Sequence, residues 1–100
     1  MLMRHAIGSV LRRLRTERGA TLRELSETSR ISIPYLSEIE RGRKEASSEI
    51  LAALCRVLDV TERELLAQVV SEFAEAEVLT LVRDDAPSRP AEAPTVLLAA

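Results

Sequence analysis

The sequence is poor in cysteine and aromatic residues: among its 100 residues it has one cysteine, one phenylalanine, one tyrosine and no tryptophan. The single cysteine, Cys55, excludes an internal disulfide and a cysteine-rich zinc site. With so few aromatic side chains, the core must consist mainly of leucine, isoleucine and valine. No apolar run reaches the roughly 18 residues of a membrane-spanning helix, and the apolar start is too short for a signal peptide. We therefore expect one domain, soluble in a reducing cytoplasm and outside any membrane.

The residues of an enzyme or metal site are also lacking. The only histidine, His5, lies in what we predict to be a loose N-terminal segment, and neither a Gly-rich phosphate loop nor a cluster with metal-ligand spacing is present. Cys55 lies within an apolar helical pattern, so a small core residue is a better interpretation than a nucleophile. We predict no catalytic residue, no metal and no cofactor.

Charge is unevenly divided along the chain. Residues 1–44 carry ten basic and five acidic groups, a net charge of +5, whereas residues 45–100 carry four basic and eleven acidic groups, a net charge of −7. Such asymmetry indicates a polyanion as the partner of the first half. A basic, solvated face is the alternative.

Residues 21–44 predict two short helices joined by a tight turn. Thr21 and Glu24 have the spacing of a capping box, which starts the first helix. Ser32 is a suitable N-cap for the second helix, and Gly42 can end it because glycine readily adopts positive φ. A helix, a short turn and a second helix form the helix-turn-helix unit.

The flanking sequence predicts three further helical segments and a tail. Apolar residues at helical spacing predict a helix over residues 6–18 and another that follows Ser47 and ends near Leu58. A second capping box begins at Thr61, and the apolar pattern continues to residue 82, either as one helix or as two. From residue 84 the proline-rich stretch DDAPSRPAEAP predicts a flexible linker.

In a helix-turn-helix unit the second helix enters the major groove, and its first residues face the base edges. The predicted base-facing residues are Ile33, Pro34, Ser37 and Glu38. The predicted phosphate contacts are Arg23, Tyr35, Arg41, Arg43 and Lys44. For Tyr35 the alternative is partial packing on the core, and for Arg43 and Lys44 it is a solvated charge run.

The segments IGSVLRRLRTERG, TLRELSE, YLSEIERGRK and SSEILAALCRVLDV resemble the XRE-type, lambda-repressor-like helix-turn-helix family in order and spacing. The resemblance covers about two-thirds of the chain and implies an all-α, five-helix DNA-binding domain that works as a dimer. It also implies an ion pair between Arg15 and Glu40. Within the family, SEIERGRKEASSE is most similar to actinobacterial regulators of clp protease genes. That similarity implies an added C-terminal dimerisation helix and activation of protease and stress genes.

The sequence departs from the family at two positions that commonly hold glutamine, where it has Leu22 and Ile33. Bidentate amide contacts to adenine are therefore not expected there. Ile33 and Pro34 can instead contact thymine methyl groups, and Glu38 can accept a hydrogen bond from cytosine N4. DNA shape and phosphate positioning are expected to contribute to recognition.

The expected domain organisation is a DNA-binding domain over residues 6–68, a dimerisation helix over 69–83 and a flexible tail over 84–100. Surplus apolar residues on the last helix predict a homodimer, with packing on the monomer as the alternative. The predicted interface residues are Leu66, Val69, Val70, Phe73 and Ala76.

Two further partners are expected by analogy. The apolar ending Leu98-Ala99-Ala100 resembles degradation tags that are read by ATP-dependent Clp proteases, and an inert end is its alternative. An acidic surface formed by Glu38, Glu45 and Glu49 is a candidate contact for RNA polymerase. A protein-interaction module, such as an antitoxin or a regulatory subunit, is the alternative to a DNA-binding regulator.

Overall fold

The computed structural model describes the backbone of residues 1–83 and the side chains of residues 1–77. The predicted linker and the predicted degradation signal at Leu98, Ala99 and Ala100 lie outside the described residues. Within them the fold is all-α, as predicted. The helices are α1 (Met3–Glu17), α2 (Leu22–Ser29), α3 (Ile33–Glu40), α4 (Ser48–Leu58) and α5 (Glu62–Arg83).

Four helices begin at the caps that the sequence predicts. In α2 the Glu24 backbone N–H donates to Thr21 Oγ1 at 3.0 Å, and the Thr21 N–H donates to Glu24 Oε1 at 2.8 Å. The same capping box, at 2.7 and 3.0 Å, begins α5 at Thr61. Ser32 and Ser47 cap α3 and α4 through their hydroxyl groups. The structure therefore confirms these four predicted starts. They are predictable because each capping group lies within three residues of the backbone group that it binds.

The predicted start of α1 at residue 6 is wrong, since the helix already begins at Met3 and includes His5. No side chain caps this end. Instead, Arg4 Nε donates a hydrogen bond of 2.9 Å to the carbonyl oxygen of Gly42, just after α3. His5 lies against Gly42, which has a φ of +75°. The first turn of α1 thus contacts Gly42, which is distant in sequence. A local sequence pattern cannot indicate such contacts.

Helix α1 is central and packs against α3 and α5, while α2 packs against α3 and α4. Its approach to α3 is close at Gly8, where a Cβ atom would lie 2.7 Å from the carbonyl oxygen of Glu40 and closer still to that of Ile39. Glycine is therefore required at this helix crossing. The core is aliphatic, as predicted; its buried members are Ala6, Val10, Leu11, Leu14, Leu25, Ile31, Leu36, Ile39, Leu54, Cys55, Leu58, Leu65 and Val69.

Cys55 is one of these core residues, in agreement with its interpretation as a structural side chain. Burial raises the pKa of its thiol, and the negative charge of Glu62 raises it further. A thiol that resists ionisation is a poor nucleophile.

Of the two alternatives for the last segment, one continuous helix is observed. Leu65, Val69 and Phe73 recur every four residues and pack toward the core. Leu66 and Val70 lie one position later, about 100° around the helix, and are 56% and 66% exposed. The prediction that Val69 belongs to a dimer interface is wrong, because Val69 is 2% exposed within the monomer. Phe73 likewise packs on this core.

No helix among the described residues combines the length and apolar character that crossing a membrane requires.

Candidate nucleic-acid interface

Helix α3 has one face in the core and one face toward solvent. Leu36 and Ile39 are each 1% exposed. On the other side, the first turn exposes Ile33 and Pro34. Ser37 follows Ile33 at one helical turn, so it shares the outward side. The structure thus places the first three predicted base-facing residues together on the surface.

An ion pair holds α3 against α1. Arg15 Nε donates to Glu40 Oε2 at 2.7 Å, and Arg15 Nη2 donates to Glu40 Oε1 at 2.9 Å. Arg15 Nη1 also donates to the carbonyl oxygen of Ala20. The side chains are 13% and 8% exposed, and the bonded carboxylate raises the pKa of Arg15. This is the pair that the family resemblance implies, and it fixes the orientation of α3.

A cleft of about 250 Å³ opens between α1, α2 and α3 beside the outward face of α3. Its lining residues are Arg12, Arg15, Leu22, Ser37, Glu40 and Arg41. Glu40 pairs with Arg15, and Arg41 lies 3.8 Å from Glu38. Arg12 is therefore the positive group of the cleft that has no carboxylate partner among the described residues. Two guanidinium groups in a cleft of this size suit a phosphate group.

Sequence reasoning missed Arg12 as a member of this surface. The Arg12 side chain is exposed and forms no hydrogen bond or ion pair with the described part of the chain. It precedes Arg15 by three residues, so both lie on the same side of α1. Its three-residue spacing from Arg15 is the signal that could have placed it on this surface, but only once Arg15 is known to face α3.

Arg23 is exposed in the first turn of α2, next to the cleft residue Leu22. The N-terminus of a helix carries partial positive charge, and anions bind there readily. Lys44 is also exposed, but it lies on another side, where it lines a groove with Arg4 and Ile7. The predicted phosphate contacts therefore lie on both flanks of α3.

Glu38, a predicted base reader, lies beside two predicted phosphate contacts. Its Oε2 atom is 3.8 Å from Nη1 of Arg41 and 3.8 Å from Nη1 of Arg43. The backbone contributes to this arrangement, because the N–H of Arg43 donates to the Glu38 carbonyl oxygen at 2.9 Å. We refer to Glu38, Arg41 and Arg43 as the α3 charge cluster.

Packing is the observed one of the two alternatives for Tyr35. Its ring packs partly on the core, and its hydroxyl donates a 3.0 Å hydrogen bond to the carbonyl oxygen of Glu45. The hydroxyl proton is thereby used within the monomer, where it ties α3 to the segment before α4.

A second interface candidate lies on α5. Leu66 and Val70 expose apolar side chains, and further along the helix Ala76 lines a groove with Met1 and Phe73. The opposite side of α5 is tied to α1, since Arg13 donates to Glu72 and to Gln68, each at 2.7 Å. Over residues 62–77, where the side chains are described, the outward side of α5 is accessible to a second chain.

Among the described residues no group of histidine, cysteine, aspartate or glutamate is arranged to hold a metal ion.

Comparisons with known proteins agree with this geometry. A family model described as a helix-turn-helix domain matches residues 6–68. The transcriptional regulator ClgR of Mycobacterium tuberculosis is 47% identical over 78 residues, which are 78% of this chain and 70% of that protein. The crystal structure of the clp gene regulator ClgR from Corynebacterium glutamicum has a TM-score of 0.79 and 45% identity, covering 90% of this chain and 97% of that chain.

A third comparison shows the breadth of the fold. The restriction-modification controller protein C.Esp1396I was crystallised as a tetramer in complex with its natural 35 base-pair operator. It has a TM-score of 0.67 and 22% identity, covering 72% of this chain and 95% of that chain. At this identity the similarity shows a common fold.

Proposed function

Since this chain belongs to the helix-turn-helix domain family, we propose that it is a homodimeric, sequence-specific DNA-binding regulator of transcription that acts in the cytoplasm. The observation that carries the proposal is the outward face of α3, whose first turn is exposed beside a cleft lined by Arg12 and Arg41. The relatives named ClgR are regulators of transcription or of clp genes, which supports the same role here.

In the proposed complex, α3 lies in the major groove of double-stranded DNA. Ile33 and Pro34 contact thymine methyl groups, and Ser37 hydrogen-bonds a base edge. Phosphate groups are bound on both flanks of α3. The proposed phosphate contacts are Arg12, Arg23, Arg41, Arg43 and Lys44.

The proposed dimer forms through the outward side of α5, with Leu66 and Val70 at its centre. Burial of these exposed side chains against a second copy supplies the apolar contact that the monomer leaves unused. Two copies related by a two-fold axis would present their α3 helices about 34 Å apart, to the half-sites of a pseudo-palindrome.

The proposed target genes are those of Clp proteases and the stress response, and the proposed mode is activation. Glu45, in the segment before α4, and Glu49, in its first turn, are exposed and are candidates for contact with RNA polymerase. If the C-terminus is a Clp degradation signal, replacing Ala99 and Ala100 by aspartate lengthens the half-life of the protein in cells. An unchanged half-life would refute that part of the proposal.

The decisive experiment selects bound sequences from a random pool of duplex DNA. We expect enrichment of a pseudo-palindromic sequence. Titration of that duplex at several salt concentrations then tests the phosphate contacts: five in each subunit predict a log–log slope of about −4.5 per subunit, or about −9 for the dimer. Arg56→Gln removes an exposed positive charge from α4 that is not among the proposed contacts. It controls for the loss of one charge as such and should leave the slope unchanged. A pool without any enriched sequence, together with a flat titration, would favour a protein-interaction module.

A further inference from the structure

The α3 charge cluster brings a predicted base-facing residue, Glu38, together with two proposed phosphate contacts, Arg41 and Arg43. Glu38 Oε2 lies 3.8 Å from Nη1 of Arg41 and 3.8 Å from Nη1 of Arg43. One carboxylate therefore pairs with two arginines that are proposed to bind phosphate. The arginine side chains are 60% and 66% exposed, whereas that of Glu38 is 30% exposed. Exposed ion pairs add little to the free energy of unfolding. The arginines can therefore leave Glu38 at small cost.

A carboxylate on a DNA-binding surface has few favourable positions. DNA phosphates repel it, and in the major groove the guanine edge presents only acceptors. Thymine adds another acceptor and a methyl group. The exocyclic amino groups of cytosine and adenine are the donors available there, and cytosine N4 is the usual partner of glutamate. At any other base the carboxylate stays unpaired once the arginines turn away from it.

We propose that Glu38 determines specificity by controlling Arg41 and Arg43. In the free protein Glu38 holds both arginines. At a base pair whose amino group faces Glu38, the carboxylate accepts that hydrogen bond and both arginines turn to phosphate groups. At other base pairs the arginines stay with Glu38, and the phosphate contacts are incomplete. The inference rests on the proposed DNA-binding function and adds a penalty against non-specific DNA.

The test compares the full-length protein with Glu38→Gln, which preserves the shape of the side chain and removes its charge. Fluorescence anisotropy measures binding to the duplex obtained by selection and to a scrambled duplex of the same length, each at several salt concentrations. We expect Glu38→Gln to bind the scrambled duplex about tenfold more tightly, with a slope steeper by about 0.9 for each arginine released. Its affinity for the selected duplex should change much less.

Glu27→Gln is the matched control. Glu27 is an exposed carboxylate on α2 with no hydrogen bond or ion pair within the described residues, so its removal changes the net charge by the same amount outside the cluster. If both variants strengthen binding to both duplexes by one common factor, net charge explains the effect and the proposal is overturned. Because Glu38 lies 3.8 Å from two exposed arginines and such pairs add little to stability, we expect Glu38→Gln to unfold at the wild-type Tm, which separates lost specificity from lost folding.

A panel of single base-pair replacements in the selected duplex locates the contact. Wild type should prefer an amino-bearing base at one position of each half-site, and Glu38→Gln should lose that preference while keeping the others. Equal preferences in the two proteins at every position would overturn the proposal. Failure of the proposed function is distinct from this result, because wild type would then select no sequence at all.

Discussion

The inward and outward faces of α3 each carry a glutamate paired with arginine, but the inward glutamate is buried and the outward one is more exposed. Glu40, on the inward side, is 8% exposed and forms two short hydrogen bonds with Arg15. Glu38, only two residues earlier, is 30% exposed and faces its arginines at 3.8 Å. Breaking a buried ion pair is costly because the remaining charge is left without water or a partner. The charges of an exposed pair are hydrated when they separate, so breaking that pair costs little. The inward face therefore serves stability, and the outward face is available for recognition.

The largest expected effect comes from the inward face. Glu40→Gln leaves Arg15 without its carboxylate and should lower the free energy of unfolding by about 3 kcal/mol or more, as measured by urea denaturation. DNA affinity should fall only in proportion to the unfolded fraction. Glu38→Gln is the matched substitution on the same helix and should leave stability unchanged. Equal stabilities of the two variants would contradict the division of α3 into two faces.

The outward side of α5 gives the next effect. Leu66→Asp places a charge at the centre of the proposed dimer and should weaken association by about 2 kcal/mol or more, so that sedimentation at micromolar concentration shows monomers. Because Leu66 is 56% exposed, stability of the monomer should change little. Ser71→Asp, on another side of the same helix, is the control. Dimers of Leu66→Asp at wild-type strength would exclude this surface.

Gly8 tests the closeness of α1 and α3. Gly8→Ala gains about 1 kcal/mol of helix propensity, but its methyl group meets the backbone of α3, so the net result should be a loss of about 1–3 kcal/mol. Thermal unfolding measures it, with Ser9→Ala at an exposed neighbouring position as the reference. A Gly8→Ala protein as stable as wild type would mean that the two helices can separate without cost.

Arg12 tests the outward cleft. For each subunit bound, Arg12→Gln should weaken binding to every DNA sequence about tenfold, as expected for one charged hydrogen bond, and reduce the salt slope by about 0.9. The Tm should stay at the wild-type value, since Arg12 is exposed. Arg56→Gln again serves as the control. A change in sequence preference rather than in overall affinity would assign Arg12 to a base edge.

The smallest expected effect lies in the capping box of α5, away from both faces of α3. The N–H of Thr61 donates to Glu64 and lowers the pKa of this carboxyl below its ordinary value of 4.5. The folded protein therefore favours the ionised form, and the resulting stability is present above about pH 4.5 and is lost as the pH falls through the lower value. Glu64→Gln should have a lower Tm than wild type at pH 6, and the difference should shrink toward pH 3. Glu75→Gln keeps the capping box and should follow wild type at both pH values.

Much of the fold is predictable from local sequence. The starts of α2, α3, α4 and α5 follow from hydroxyl and carboxylate groups within three residues of the backbone that they cap. The start of α1 is not predictable in this way, because no side chain caps it and Arg4 bonds a carbonyl group 38 residues away. Tyr35 is similar, since its partner Glu45 lies beyond the end of α3.

The residues of the candidate site likewise divide into those that local sequence predicts and those that it does not. Its base-facing residues Ile33, Pro34 and Ser37 follow from their place on the second helix of the unit. The membership of Arg12 and the pairing of Glu38 depend on how α1 and the chain after α3 pack, which residue types do not specify. The two apolar sides of α5 are a further instance: both contain leucine and valine, so composition alone placed Val69 in the wrong group.

Four helix starts and their caps, the aliphatic core and the division of charge between the two halves follow from neighbouring residues or from composition. Three other features depend on packing: the apolar side of α5 that the monomer buries, the extension of α1 to Met3, and the position of Glu38 beside Arg41 and Arg43. Those outcomes depend on which surfaces meet across long separations in sequence. Water is excluded from some charges and apolar groups and left on others, and that difference arises only when the chain is folded.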